Sequence, residues 1–349
     1  MRKRGRGRAV SALLAVTTVV VLSGAIAGAV ASGGPVADRV TDPRNQVIDT
    51  AAGYLPPVQQ VTGIDCSPSC ELWAKAGAAS VGGVPIWGYA VAPDAQPTLP
   101  GPTIVAAAGD VVTITVHNAL PAEAGDTSLS LPRVPADDFT SSDPFSAAAG
   151  AGGTVTYTFA AAHAVGTSIY EAGAATPTGN RQVAMGLSGV LVVRPPAASC
   201  TSGACLYGDP GTGGAGAPGG LAADVLDDEA LVALNDLDPA FAADPLGYDM
   251  AQYHPTYHLI NGKAFPATDV IDTQAGHVLG LRYANLSPIA HTMGVVGARQ
   301  DIVGRDATAL PHVHETVAPL LTPGQTMDVS MAVPLGARAG ARFPLYDQG

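Results

Sequence analysis

Short runs of alternating apolar and polar residues dominate the chain. In "DVVTITVHN" (110–118) Val112, Ile114 and Val116 fall on one face, and in "GTVTYTFAA" (153–161) Val155, Tyr157 and Phe159 do the same. A period of two is that of a half-buried strand. "GVLVVRP" (189–195) is almost continuously apolar, as a strand covered on both faces is. "HLIN", "HVLGLRYAN", "HTMGVVGARQDIVGRD" and "TMDVSMAVP" continue the series, and Gly, Pro and Asn punctuate it. "ALVALND" (230–236) reads as a strand, with helix as the alternative. Few segments hold a helical period over several turns. Many short strands and few helices predict an all-β sandwich or barrel.

The strand pattern also recurs. "IVAAAGDVVTITVHNAL" (104–120) lines up with "IDTQAGHVLGLRYANLS" (271–287), so that Gly109 meets Gly276 and Asn118 meets Asn285. "GGTVTYTF" (152–159) lines up with "GQTMDVSM" (324–331), and "YEAG" (170–173) with "YDQG" (346–349). The three offsets are 167, 172 and 176, in conserved order. Three ordered matches point to a duplicated unit. Domain 1 is expected over 55–197 and domain 2 over 227–349. The Gly- and Pro-rich stretch 198–226 is expected as a linker. In the first copy "YEAG" is followed by the apolar run at 189–194, which should complete the sandwich. "YDQG" has no such run after it, so the second sandwich is expected to lack its last strand, leaving an edge that truncation explains or another segment fills.

Charge and cysteines set the compartment. Five of the first eight residues are basic, and an apolar stretch from Ala9 to about Val30 ends in small residues. This is the pattern of a secretory signal peptide over 1–31, with an uncleaved membrane tether as the alternative. The whole chain carries net charge −12, and the part beyond the leader is more acidic still, which argues against nucleic-acid partners. The four cysteines form two close pairs, Cys66/Cys70 and Cys200/Cys205. In an exported chain they are expected as two local disulfides, 66–70 and 200–205, among three possible pairings.

"PGPTIVAAAGDVVTITVHNALP" (100–121), "GTSIYEAG" (166–173) with "QVAMGLSGVLVVRP" (182–195), and "YHLINGKAFP" (257–266) with the strands after it resemble multicopper oxidases of the laccase and copper nitrite reductase kind. The resemblance implies two tandem cupredoxin-like Greek-key β-sandwiches, copper as cofactor, oxidoreductase chemistry and, for two-domain relatives, a homotrimer. The ligand positions depart from it. A blue copper centre takes one thiolate and two imidazoles. In the matching "YEAG", Glu171 stands where the family has His, and Ala172 where it has Cys. The paired-histidine slots of the oxygen-reducing centre hold Ser130 and Pro132 in "TSLSLPRV", and Glu171 and Gly173 in "YEAG". In "HTMGVVG" His291 is kept while Gly294 and Val296 replace the others. Met185, near the family's axial methionine, is expected as a core residue.

Three histidines remain as candidate metal ligands. His291 matches the family's copper histidine. His312 and His314, in "LPHVHETV", form an H-x-H that would point both rings the same way on a strand, though the segment is expected in a loop. Glu171 is expected as an exposed loop carboxylate. No catalytic residue is assigned. The favoured function is a copper-poor scaffold or binding protein. The alternatives are a copper oxidoreductase completed by another subunit or by missing C-terminal sequence, and a mononuclear metal binder.

Overall fold

The computed structural model describes residues 60–348 except 142, 144–145, 162–164, 174, 201–203 and 209–224, together with 17–21, 40–41 and 47–48. Most of the expected leader and linker therefore lies outside the described residues. The N-terminal strands are β1 (Thr17–Val21), β2 (Val40–Thr41) and β3 (Val47–Ile48).

The first sandwich is built from β4 (Cys70–Ala78), β5 (Pro85–Ala90), β6 (Ile104–Ala107), β7 (Val111–Ala119), β8 (Leu129–Ser130), β9 (Thr154–Ala160), β10 (Gly166–Ala172) and β11 (Ser188–Arg194). They form two four-stranded sheets, β5-β4-β7-β9 and β6-β11-β10-β8. A short helix, α1 (Gly179–Ala184), joins β10 to β11. The period-two residues named above, Val112, Ile114, Val116, Tyr157 and Phe159 among them, fill the space between the sheets.

A two-residue pair, β12 (Ala204–Cys205) with β13 (Val225–Leu226), leads into the second unit. Its larger sheet contains β14 (Asp228–Leu237), β15 (Tyr257–Ile260), β16 (Val278–Asn285), β18 (Gln300–Arg305), β19 (Thr308–Thr316) and β21 (Thr326–Ala332), in the order β15-β14-β16-β21-β18-β19. The "ALVALND" run is thus a strand. A second helix, α2 (Pro239–Ala243), follows β14 and is capped by the Asp238 carboxylate. The facing sheet holds β17 (His291–Val295), β20 (Leu320–Leu321) and β22 (Arg342–Asp347) in the order β1-β22-β17-β20. No helix among the described residues is long and apolar enough to cross a membrane.

The duplication is visible in the atoms. β7 runs parallel to β4 and antiparallel to β9, as β16 runs parallel to β14 and antiparallel to β21. Gly109 and Gly276 both adopt positive φ, 94° and 86°, in the turn that enters these strands, a conformation favoured for glycine. Asn118 and Asn285 do the same work at the strand ends. Asn118 donates to the carbonyls of Gly125 and Ala149 and accepts from the Leu120 amide. Asn285 donates to the carbonyls of Ile289 and Leu321 and accepts from the Ser287 amide.

The two sandwiches share a buried contact. β11 is apolar from Gly189 to Val193 because it is covered twice. Leu191 and Val193 face the first core, while Val190 and Val192 pack on Ala233, Ala284 and Leu286 of the second unit. Beside this layer lies an ionic network. Arg282, fully buried, donates from Nε to Glu229 (2.5 Å) and from Nη1 to Asp328 (3.1 Å). Glu229 also binds Arg194 (2.7 Å) and the Val61 amide, and Asp328 accepts from Thr167 and Tyr207. Burial would raise the Glu229 carboxyl, but the Arg282 charge and the hydrogen bond from Arg194 hold it down at about 2. Tyr207 belongs to the stretch expected as a linker, yet Leu206 and Tyr207 are buried, because the Tyr207 hydroxyl is anchored on Asp328 (2.5 Å).

The edge expected to be open in the second sandwich is paired. β22 takes β1 as an antiparallel neighbour on the side away from β17. Both disulfides form as expected, Cys66–Cys70 and Cys200–Cys205.

Candidate functional site

The densest group of titratable side chains lies at the ends of β14, β15, β17 and β22. Asp236, next to last in β14, has a fully buried carboxylate. One oxygen receives His258 Nδ1 of β15 at 2.5 Å. The other receives His291 Nε2 at 2.8 Å and the Ser287 hydroxyl. The second ring nitrogen of His291, Nδ1, lies 2.6 Å from Asp347 Oδ2, and Asp347 Oδ1 accepts the Thr292 amide at 2.9 Å. The order His258–Asp236–His291–Asp347 alternates imidazole and carboxylate from a partly exposed ring to the last strand of the second sandwich.

The electrostatics follow from this packing. Burial opposes charge on His291, but its hydrogen bonds to Asp236 and Asp347 outweigh it and push the ring up to about 9. Burial opposes charge on Asp236 too, yet hydrogen bonds from His258 and His291 bring its carboxyl down to about 2. His258 is raised, chiefly by its hydrogen bond to Asp236. His291 at neutral pH is an imidazolium that donates from both nitrogens. Such a ring has no lone pair to offer a metal. Ser287 donates its proton to a carboxylate instead of facing a basic imidazole, so it is not an activated nucleophile.

The other expected residues are placed elsewhere. His312 and His314 lie on β19, the outer strand of the six-stranded sheet, and both are exposed. The expected loop is a strand because "TALPHVHET" pairs along β18, with a bulge at Ile302/Gly304. His314 pairs with Ile302 and His312 falls in the bulged stretch, while His291 sits in the opposite sheet. Among the described residues no three His, Cys, Asp or Glu side chains are grouped to hold a metal ion. Glu171 is also in a strand. It pairs with Ser130 of β8 and Ser188 of β11, and burial raises its carboxyl. Met185 is buried in the first core, as expected of a packing residue.

Residues 95–198 match a family model described as multicopper oxidase. The likeness is to multicopper oxidases. No curated protein matches the sequence significantly. Among solved structures, a blue copper oxidase from Nitrosomonas europaea superposes with a TM-score of 0.62 at 21% identity, over 80% of this chain and 78% of that one. The multicopper oxidase mgLAC gives 0.59 at 19%, over 80% and 79%. A copper nitrite reductase from Nitrosomonas europaea gives 0.55 at 18%, over 78% and 91%. At these identities the likeness is one of fold, two tandem cupredoxin-like sandwiches.

Copper is the group this fold implies, and the donor set does not fit a blue copper site. That site takes a thiolate and two neutral imidazoles. All four cysteines are in disulfides. Glu171 and Ala172 offer no imidazole or sulfur in the first sandwich, and His291 has both nitrogens committed in the second.

Sequence reasoning found His291 but not its partners. Asp236 ends an apolar run, and Asp347 sits in the repeat "YDQG". Only the Tyr-acid-x-Gly likeness of "YEAG" and "YDQG" hinted that an acid occupies a ligand position.

Proposed function

We propose that the protein is an exported multicopper-oxidase-like scaffold or binding protein that does not work as an oxidase. The observation that carries this reading is the clamping of His291 between Asp236 and Asp347. A position that resembles the family's copper ligand is used to bind two carboxylates, one through each ring nitrogen. The two disulfides support export.

The test is metal analysis after copper loading and dialysis of purified protein, with the visible spectrum and oxygen uptake on phenols measured in parallel. Expected are less than one copper per chain, no blue thiolate-to-copper band and no oxygen uptake. One or more tightly held coppers per chain with such a band and oxygen consumption would overturn the proposal. Bound metal that disappears in the variant His312→Ala/His314→Ala would instead establish a mononuclear metal binder.

A further inference from the structure

The outer edge of β22 has an unusual property for an edge strand. Pro344 lies in its middle, and proline on an edge ordinarily blocks further pairing. Here it does not. The Pro344 carbonyl accepts the Val296 amide, and the Gln348 amide donates to Thr292, so residues 344, 346 and 348 turn their backbone groups towards β17. Along a strand these groups alternate sides. The missing N–H of Pro344 therefore falls on the side already paired. Phe343, Leu345 and Asp347 direct an unbroken set of donors and acceptors outwards, and there β1 pairs.

The internal repeat supplies an independent observation. In the first sandwich Tyr170 of β10 pairs with Gly189, and the register runs on to Gly166 with Val193. In the second, Tyr346 pairs with Thr17, and the register runs on to Arg342 with Val21. Tyr170 and Tyr346 are equivalent in the repeat. Thr17–Val21, "TTVVV", thus takes the place of "GVLVV" (189–193), in the same direction and register and from the opposite end of the chain. Both are runs of β-formers.

We propose that the outer edge of β22 is a strand-acceptor site and that Thr17–Val21 is its occupant, closing the second sandwich as β11 closes the first. The site recognises backbone in an antiparallel extended segment of β-branched residues, a mode known as strand addition. The assignment keeps the N-terminal segment with the folded protein, against removal after Ala31. It is independent of the copper reading.

Two experiments on the full chain test it. Val19 and Pro344 are opposite one another in the backbone register, at a non-hydrogen-bonded pair. The variant Val19→Cys/Pro344→Cys should form a disulfide, and the register-shifted Val21→Cys/Pro344→Cys should not. A bridge within one chain or between two copies supports the site alike, the second by exchange of the segment. The other experiment leaves Pro344 in place. Thr18 and Val20, opposite Leu345 and Phe343, are the residues whose amides face β22. Val20→Pro should speed hydrogen exchange at Phe343, Leu345 and Asp347 about tenfold, the loss of one ladder hydrogen bond. Val19→Pro, whose amide faces away, should leave it unchanged. Equal exchange in the original protein and Val20→Pro, no bridge in the first variant, or an exported protein whose mass begins at Ser32 would overturn the assignment.

Discussion

The chain His258–Asp236–His291–Asp347 makes stability depend on alkaline pH in a way that can be measured. The His291 ring is carried from its ordinary 6.5 up to about 9 by two carboxylates that outweigh the effect of burial. At roughly 1.4 kcal/mol per pH unit, that difference corresponds to about 3 kcal/mol of preferential proton binding by the folded state. A group whose folded value is raised contributes fully below its unfolded value and loses the contribution as pH rises through the folded one. The stabilisation should therefore be complete below about pH 6.5 and lost through pH 9. Urea unfolding between pH 6 and 10 on the original protein and on His291→Gln measures this. The original should lose about 3 kcal/mol more than the variant across the interval. Nitrogen NMR of labelled histidine gives a second reading, one ring protonated at both nitrogens with a midpoint near 9. Parallel pH curves for the two proteins, or a His291 midpoint near the ordinary value, would refute the reasoning, because the ring would then not be held as a cation between Asp236 and Asp347.

Two further outcomes follow from the packing. Asn118→Ala and Asn285→Ala each strip two carbonyls and one amide of a partner at equivalent strand ends, so both should cost about 2–3 kcal/mol by denaturant unfolding, with near-equal values if the repeat is structural. Arg282→Met leaves Glu229 and Asp328 buried beside the contact between the sandwiches with one cation removed. Breaking a buried pair in this way should cost about 3–5 kcal/mol, and a triple variant that also replaces both acids with apolar residues should recover much of it in the same assay.

The candidate site was only half legible. His291 stood out because a family-like segment surrounds it, but what it does depends on Asp236, 55 residues earlier, and Asp347, 56 residues later. The H-x-H pair at His312 and His314 is visible from spacing alone, as a candidate ligand pair in an expected loop. Both residues stand exposed on the outermost strand of the sheet, where a bulge interrupts the pairing. Glu171 read as an exposed loop carboxylate because nothing in "YEAG" shows that β8 and β11 flank it.

Local pattern was enough for what local physics governs. Alternation gave the strands of both sandwiches, glycine and asparagine marked the turns between them, cysteine spacing gave two short disulfides, and repeated spacing gave the duplication. Each of these depends on residues close in sequence, where side-chain period and backbone freedom leave few choices. The tertiary structure alone decided which faces of β11 are covered, that Arg282 is sunk between two acids, that both nitrogens of His291 are occupied, and that the edge of β22 has a neighbour. Those outcomes depend on groups brought together across the sheets and between the sandwiches, and burial then sets their charge. No local pattern carries that information, because the cost of burying a charge is fixed by partners that only the folded chain supplies.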